Sequence, residues 1–382
     1  MNIAIDIDDT LTDTFDYLMP FVAEFYKKDL GELQRNNTSY SNIPVEWRKC
    51  EWDFEKSYYD KVVVSTPFKK DAARYVSMLH QMGHKIVIIT GRTEAFYTDP
   101  YAITEEELKN GNIVYDKLIC TLDKKQACVD EKIDVLIDDL PSNCDAVSSV
   151  GINPILFTSQ ANRYLNTEYV RVNQWDDVIK MIEQIERGYP NRTIANELLR
   201  NAEEMNPGPW GNHSRAVAHC AEKIALACGD MDSEKAYVLG LLHDIGRRFG
   251  VRHLGHVSDG YSYMIKLGFY EAARICLTHS FHNQSTEEYI GKFDTSEEER
   301  ELIETALTQV TMDDYDRLIQ LCDAMAGSEG VLDIEERMND VKRRYGAYPQ
   351  SKWDANMRLK AYFEKKAGRT IYDVVEKEHF RP

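Results

Sequence analysis

The spacing of apolar residues changes character near residue 190, and that change asks for two architectures in one chain. Before it, short apolar runs read as strands over Asn2–Ile7, Lys85–Thr90, Lys117–Cys120, Asp134–Ile137 and Pro154–Phe157. Amphipathic stretches such as Lys70–Met82 and Lys124–Lys132 separate the later ones. Apolar strands alternating with helices predict a parallel α/β sheet. After residue 190, apolar residues recur at three and four, as in Ala216, Val217, Cys220, Ile224 and Ala227. That period predicts an all-α second half.

Gly188 and Pro190 in Arg187-Gly188-Tyr189-Pro190-Asn191 mark the linker. The chain of 382 residues has room for two domains, read as 1–187 and 192–382. The stretch 13–64 interrupts the strand–helix alternation and is rich in Tyr, Phe, Trp and Asn. An insertion right after the first strand is positioned to form a small helical cap over the strand ends. The last stretch, Trp353–Glu378, reads as a closing pair of helices.

Acidic residues outnumber basic ones, 64 to 46, for a net charge of −18. Such a chain is a poor partner for nucleic acid or for an anionic membrane. The eight cysteines are scattered, with no C-x-x-C pair, and read as reduced apolar residues. The N-terminus has no basic segment followed by an apolar one, so the expected location is the cytoplasm.

Strand one runs into Asp6-Ile7-Asp8-Asp9-Thr10. Carboxylates crowded at the end of an apolar strand are costly unless a cation neutralises them. With the strand extended, Asp6 and Asp8 would share a face. Strand two ends in Thr90-Gly91-Arg92, a later strand ends in Asp138-Asp139, and Asp123-Lys124-Lys125 opens a helix between them. Carboxylates, a hydroxyl, a lysine and a metal are the parts phosphoryl transfer through an aspartyl intermediate needs.

These residues resemble the four motifs of the haloacid dehalogenase (HAD) phosphatases, over about residues 1–187. The short forms Asp-Ile-Asp-Asp-Thr and Leu-Ile-Asp-Asp are most similar to the 5′-nucleotidase and deoxyribonucleotidase branch. The resemblance implies Asp6 as nucleophile and Asp8 as general acid/base. It implies Mg²⁺ held by Asp6, the Asp8 backbone carbonyl and one of Asp138 or Asp139. Thr90 would bind a phosphoryl oxygen and a lysine would neutralise it: Lys124, with Lys125 or Lys117 as alternatives. Arg92 is a candidate substrate contact.

In the second half, His243-Asp244 sits in an apolar segment, with His213 thirty residues before it. His256, His279 and Asp323 follow, each expected on its own helix. Ligands drawn from facing helices are how bundles hold metals. The order His213, His243-Asp244, Asp323 resembles the signature of the HD superfamily of metal-dependent phosphohydrolases, from about residue 192 to 345. His256 and His279 are similar to the extra ligands of dinuclear members. The resemblance implies one or two divalent transition metals such as Fe, Mn, Zn, Co or Ni, with Asp244 bridging. Arg247, Arg248 and Arg252 are candidate phosphate contacts. His253 and His282 are near in sequence and are read either as supports or substrate contacts or, the favoured reading, as surface residues, and His219 as structural; His80, His84 and His379 have no partner pattern.

The expectation is a two-domain phosphohydrolase acting on nucleotides or related small phosphate esters. Two alternatives stand beside it: a di-iron oxygenase in the second half, or one half serving as a regulatory ligand-binding module.

Overall fold

A computed structural model describes residues 1–36, 43–44, 46–47, 51–165 and 167–375. The end of the Trp353–Glu378 helical stretch and His379 lie outside the described residues. The chain divides into two compact units, Met1–Ile182 and Glu183–Pro382.

In the first unit the strands are β1 (Asn2–Ile5), β2 (Lys85–Thr90), β3 (Lys117–Cys120), β4 (Val135–Asp138), β5 (Asn153–Phe157) and β6 (Arg171–Val172). They form one parallel sheet in the order β3-β2-β1-β4-β5-β6. The order reverses between β1 and β4, where Ile3 pairs with Ile86 on one side and Val135 on the other. Neighbouring crossovers diverge at such a point and leave a crevice at the carboxyl ends of the strands. Ile3, Ala4, Ile5, Val87, Ile89, Leu136 and Ile137 are fully buried, as a sheet covered on both faces requires. β6 is too short and too polar to have been seen in the sequence.

The helices of this unit are α1 (Thr14–Phe25), α2 (Leu30–Arg35), α3 (Glu51–Val62), α4 (Ala72–Gln81), α5 (Pro100–Asn110), α6 (Lys124–Asp130) and α7 (Pro141–Ser148), and α8 (Trp175–Arg187) begins in it and ends past Ile182. α1–α3 lie in the insertion after β1. They pack around Leu18, Val22 and Phe54, with Phe25, Tyr26 and Tyr58 against them. A bridge between Thr12 and Phe68 closes the base of the insertion, with Lys69 N donating to Leu11 O at 2.8 Å.

Strand one is shorter than expected. It stops at Ile5, and the Ile7 carbonyl accepts from the N–H groups of Thr10, Leu11 and Thr12, while Asp9 takes a left-handed φ of 58°. Asp6 still extends the ladder, its N–H donating to Ile137 O at 3.0 Å, and a tight turn rather than the strand pleat carries the chain through Asp8.

The second unit holds α9 (Arg192–Met205), α10 (Trp210–Cys228), α11 (Ser233–Leu242), α12 (Gly255–Lys266), α13 (Tyr270–Thr278), α14 (Glu297–Gln309), α15 (Asp314–Met325), α16 (Ile334–Tyr345), α17 (Gln350–Ala367) and α18 (Ile371–Val375). It is helical apart from a two-residue antiparallel ladder, β7 (Ala326–Gly327) with β8 (Gly330–Val331), which the all-α expectation missed. A pairing this short carries no periodicity for a sequence to display. No helix among the described residues is long and apolar enough to cross a membrane.

Two candidate metal centres

In the first unit, Asp123 caps α6 by accepting from Gln126 N at 3.0 Å, which makes Lys124 the first helical residue. From there its ammonium lies 2.6 Å from Asp6 Oδ1 and 2.7 Å from Asp138 Oδ2. All three side chains are buried. Burial pushes Asp6 up to about 7; Lys124 opposes this, and Asp138 and Asp8 reinforce it. Burial would discharge Lys124, but Asp138 and Asp6 reverse that and hold it charged.

Asp138 is further occupied: its Oδ1 accepts from Leu140 N at 2.8 Å, and both oxygens accept from Asn143 Nδ2 at 3.0 Å. Asp139 differs. Its Oδ2 is buried without a hydrogen-bond partner among the described residues. Burial, then the charges of Asp6 and Asp138, lift its carboxyl well above the usual range. Asp6, Asp138 and Asp139 each present an oxygen within 4.8 Å of the others. Three converging carboxylates answered by one ammonium, with one oxygen orphaned, suit a divalent cation.

Asp8 turns the other way. Arg92 donates to both its oxygens, Nη2 at 2.9 Å and Nε at 3.2 Å, and Thr14 donates at 2.8 Å. Burial would raise the Asp8 carboxyl, but Arg92 and Thr14 bring it below the ordinary value. Arg92 is itself buried and also grips Glu107 and Thr104. Its guanidinium is thus a fixed partner of Asp8 rather than a free hand. Thr90, at the end of β2, is buried with its hydroxyl unpartnered among the described residues.

A cavity of about 290 Å³ opens onto Asp6, Asp8, Arg92, Lys124 and Asp139. Phe15, Leu18 and Tyr59 from the insertion, with Phe96 and Tyr97 after β2, form its apolar side. Lys117 instead pairs with Glu131 away from this cavity. Sequence reasoning missed Asn143, Thr14 and Glu107. Only the aromatic richness of 13–64 signalled the apolar wall.

In the second unit, α10 carries His213, His243 and Asp244 follow α11, α12 carries His256 in its first turn, His279 follows α13, and α15 carries Asp323. His213 Nε2 is 3.0 Å from Asp323 Oδ1, and His243 Nε2 is 3.8 Å from the same oxygen. His256 Nε2 and His279 Nε2 lie 3.0 and 3.7 Å from Asp244 Oδ1. These make two ligand sets, His213-His243-Asp323 and Asp244-His256-His279.

The second nitrogens set the tautomers. His243 Nδ1 faces Gly240 O at 2.7 Å, His279 Nδ1 faces Cys276 O at 2.9 Å, and His256 Nδ1 faces the His253 carbonyl. A carbonyl only accepts, so each Nδ1 carries the proton and each Nε2 points a lone pair inward. His256 Nε2 and His279 Nε2 then sit 3.3 Å apart with no proton between them. Backbone carbonyls that fix ring orientation in this way are typical supports for metal-binding imidazoles. His243 Nε2 and Asp244 Oδ1 are also buried without a hydrogen-bond partner among the described residues. The donor set fits one or two divalent cations.

Burial and neighbouring imidazoles push His279 down to about 3. Burial would raise Asp323, but His213, His243 and His279 hold it far below the usual range. Asp244 is lowered likewise, by Arg247, His256 and His243 against its burial.

The centre opens into a cavity of about 720 Å³. Arg247 lines it and donates to Asp244 Oδ2 at 2.5 Å. Arg252 lines it while bound to Asp259 and Glu299. Arg248 does not line it: its guanidinium lies 4.0 Å over the Tyr263 ring, with Nη2 donating to Met205 Sδ. It follows Arg247 in a 3₁₀ turn, which sends adjacent side chains in different directions. His253 and His282 line the cavity, the near-site alternative rather than the favoured surface one. His219 pairs with Glu222, His80 with Asp116, and His84 with the N-terminus. The sequence reading missed Arg337, Tyr345, Tyr348 and Lys352 on the cavity wall.

Residues 1–187 match the family model "5′ nucleotidase, deoxy (Pyrimidine), cytosolic type C protein", and residues 210–327 match "HD domain". No curated protein matches the chain. Among solved structures, a HAD-superfamily hydrolase from Ehrlichia chaffeensis is 13% identical with a TM-score of 0.34, covering 48% of this chain and 96% of that one. A protein from Clostridium acetobutylicum, described as a predicted phosphatase, is 17% identical with a TM-score of 0.36, covering 48% of this chain and 98% of that one. The chain is therefore a fusion of a HAD-like nucleotidase-type domain with an HD domain, a hydrolase acting on phosphate esters.

Proposed function

We propose that the first half is a Mg²⁺-dependent nucleotide phosphomonoesterase working through an aspartyl phosphate, and that the second half hydrolyses phosphate esters or anhydrides at a dinuclear centre. For the first half the supporting observation is Asp6 held against Lys124 beside the orphaned oxygen of Asp139. Asp6 attacks phosphorus, and the bond to the leaving oxygen breaks. Asp8, which Arg92 keeps mostly ionised, gives that oxygen a proton from its protonated fraction and recovers one from the water that later opens the aspartyl phosphate. Thr90 donates its free hydroxyl to a phosphoryl oxygen, and Lys124 balances the charge on Asp6. Asp6 and Asp139, with the Asp8 backbone carbonyl, would hold Mg²⁺, which supplies charge neutralisation for the transferred group. The leaving alcohol faces Phe15, Tyr59 and Phe96, a wall suited to a nucleobase face.

For the second half, the supporting observation is the inward lone pairs of His243, His256 and His279 around Asp244. His213, His243, Asp244 and Asp323 would hold one ion, and Asp244, His256 and His279 a second. Divalent ions such as Mn, Fe, Co, Ni or Zn supply Lewis acidity to the phosphate and acidify water there. Arg247 leaves Asp244 to meet the substrate phosphate.

The test is a phosphate-release screen over nucleotides and dinucleoside polyphosphates with Mg²⁺, Mn²⁺, Co²⁺ and Fe²⁺, run on the parent, Asp6→Asn and Asp244→Ala. Asp6→Asn should abolish the Mg²⁺-supported monoester activity alone. Asp244→Ala should abolish the activity supported by the other ions and lower bound metal. A substitution that leaves every activity unchanged removes its half from this account.

A further inference from the structure

Part of the wall of the larger cavity, which also holds the His/Asp centre, comes from α16 and α17, outside the segment that matches the HD family. These helices bring Arg337, Arg344 and Lys352 to the cavity, in a chain whose acids outnumber its bases. The lining acids other than the metal-ligand pair Asp244 and Asp323 are Glu329 and Asp340. Arg337 is the informative one. Its side chain is 18% exposed, and its Nε donates to Ala326 O at 2.9 Å, which fixes the head group. Nη1 approaches Asp340 at 3.5 Å, yet neither terminal nitrogen makes a hydrogen bond to a described residue. A guanidinium this enclosed normally has its fork filled. Lys352 reaches the same cavity from α17, anchored by a 2.8 Å bond to Ser280 O, next to the ligand His279. Arg344 is half exposed and pairs with Asp340, so it belongs to the rim.

We infer that Arg337 and Lys352 form a second anion subsite that binds a non-reacting acidic group of the substrate while its scissile phosphate sits at the His/Asp centre. This rests on the proposed phosphohydrolase reading of that centre and narrows it to substrates carrying two separated anionic groups. The fork of Arg337 can donate to two oxygens of a phosphate or carboxylate, and Lys352 adds a point charge. The same cavity, about 720 Å³, is lined by Arg337, Lys352 and the His/Asp ligands, a volume in the range of small-molecule sites. Tyr345, 46% exposed and edge-on to His253, also lines the cavity.

The experiment is a calorimetric titration of the full-length Asp6→Asn chain loaded with Mn²⁺. The probes are propylphosphonate and a series of alkane bisphosphonates of increasing length, none of which can be hydrolysed. A bisphosphonate of matching length should bind at least about tenfold more tightly than propylphosphonate. Arg337→Gln and Lys352→Met should each remove most of that gain and change propylphosphonate binding less than about twofold; Arg337→Lys should restore part of it. Unchanged propylphosphonate binding also shows that each variant is folded, and should Arg337→Gln fail to fold, Lys352→Met carries the test. A parent with no preference for any bisphosphonate overturns the inference, as does equal weakening of both probes in the folded variants. If propylphosphonate itself fails to bind the metal-loaded parent, the phosphohydrolase reading fails as well, and the two failures are told apart.

Discussion

Arg92 shows how one side chain sets the chemistry of another. It grips both oxygens of Asp8 and draws its own support from buried Glu107 and Thr104. Removing its charge takes away the main influence that stabilises the Asp8 carboxylate, so Arg92→Gln should raise the Asp8 pKa. Activity of the first half that requires Asp8 protonated falls as pH rises through that pKa. The alkaline limb of kcat/KM should therefore move to higher pH in Arg92→Gln, with kcat/KM lower throughout. A limb that stays in place would show that Arg92 does not tune Asp8. Asp139 makes a separate case. Its orphaned oxygen is the natural contact for a cation, so Asp139→Asn should raise the Mg²⁺ concentration for half-activity by at least about tenfold. Titrating Mg²⁺ against initial rate reads this directly.

At the scale of elements, both centres depend on close packing between segments rather than on the ligand residues alone. Gly246 lies in the 3₁₀ turn behind Asp244, where an added Cβ would meet His256 O at 2.0 Å and Gly260 N at 2.5 Å. These are backbone atoms of α12, so α12 would have to move, taking His256 from Asp244. Gly246→Ala should cost about 1–3 kcal/mol of second-half stability and lower its bound metal. Thermal melting and metal analysis check the two together; a variant with parental metal content would mean α12 tolerates the shift. In the first unit, Phe54 is fully buried among Phe25, Tyr58 and Tyr26 and holds the insertion helices together. Phe54→Ala should cost about 3–5 kcal/mol. It should also raise KM for a nucleotide more than for p-nitrophenyl phosphate, because the insertion supplies the apolar wall. Equal effects on both substrates would detach the insertion from recognition.

Across the whole molecule, the two units titrate in opposite senses when metal is removed. Asp6 at about 7, Asp9 at about 6 and Glu107 at about 7 bind protons more tightly folded than at their ordinary values of 3.8 and 4.5. Their stabilising contribution is full at low pH and is lost as pH rises through about 6–7. In the second unit Asp244 and Asp323 are lowered, and His279 falls from 6.5 to about 3. The two carboxylates change stability only below about pH 4, where their unfolded counterparts protonate. Between about pH 5 and 7 the dependence comes from His279, with His243 and His219 also lowered by burial. This contribution is full above about pH 6.5 and is lost as pH falls. Asp316, raised to about 6, and Asp259, also raised by burial, work against this trend, opposed by the three lowered histidines. Calorimetry of the chelator-treated chain between about pH 5 and 7 should show the first-unit transition falling in temperature with pH and the second rising. Added Mg²⁺ should flatten the first trend, since the ion replaces protons at Asp6 and Asp139. Two transitions that move in the same direction would refute the assignment.

Periodicity and chemistry alone determined much of this. The apolar runs from β1 to β5 marked a parallel sheet because buried strands leave no choice of side chain. Two dense acidic motifs and a set of dispersed histidines marked two metal-type sites because such groups are expensive without cations. Which carboxylate oxygen stays orphaned, and which lysine reaches Asp6, depended on the turn at Asp9 and on the cap at Asp123, and these exist only in three dimensions. Arg337 and Lys352 lie far from the HD motif in sequence and carry no pattern, so only the packing of α16 and α17 could bring them to the cavity. Arg248 shows the reverse: adjacent to the motif, it is turned away by a 3₁₀ geometry that no linear spacing reveals.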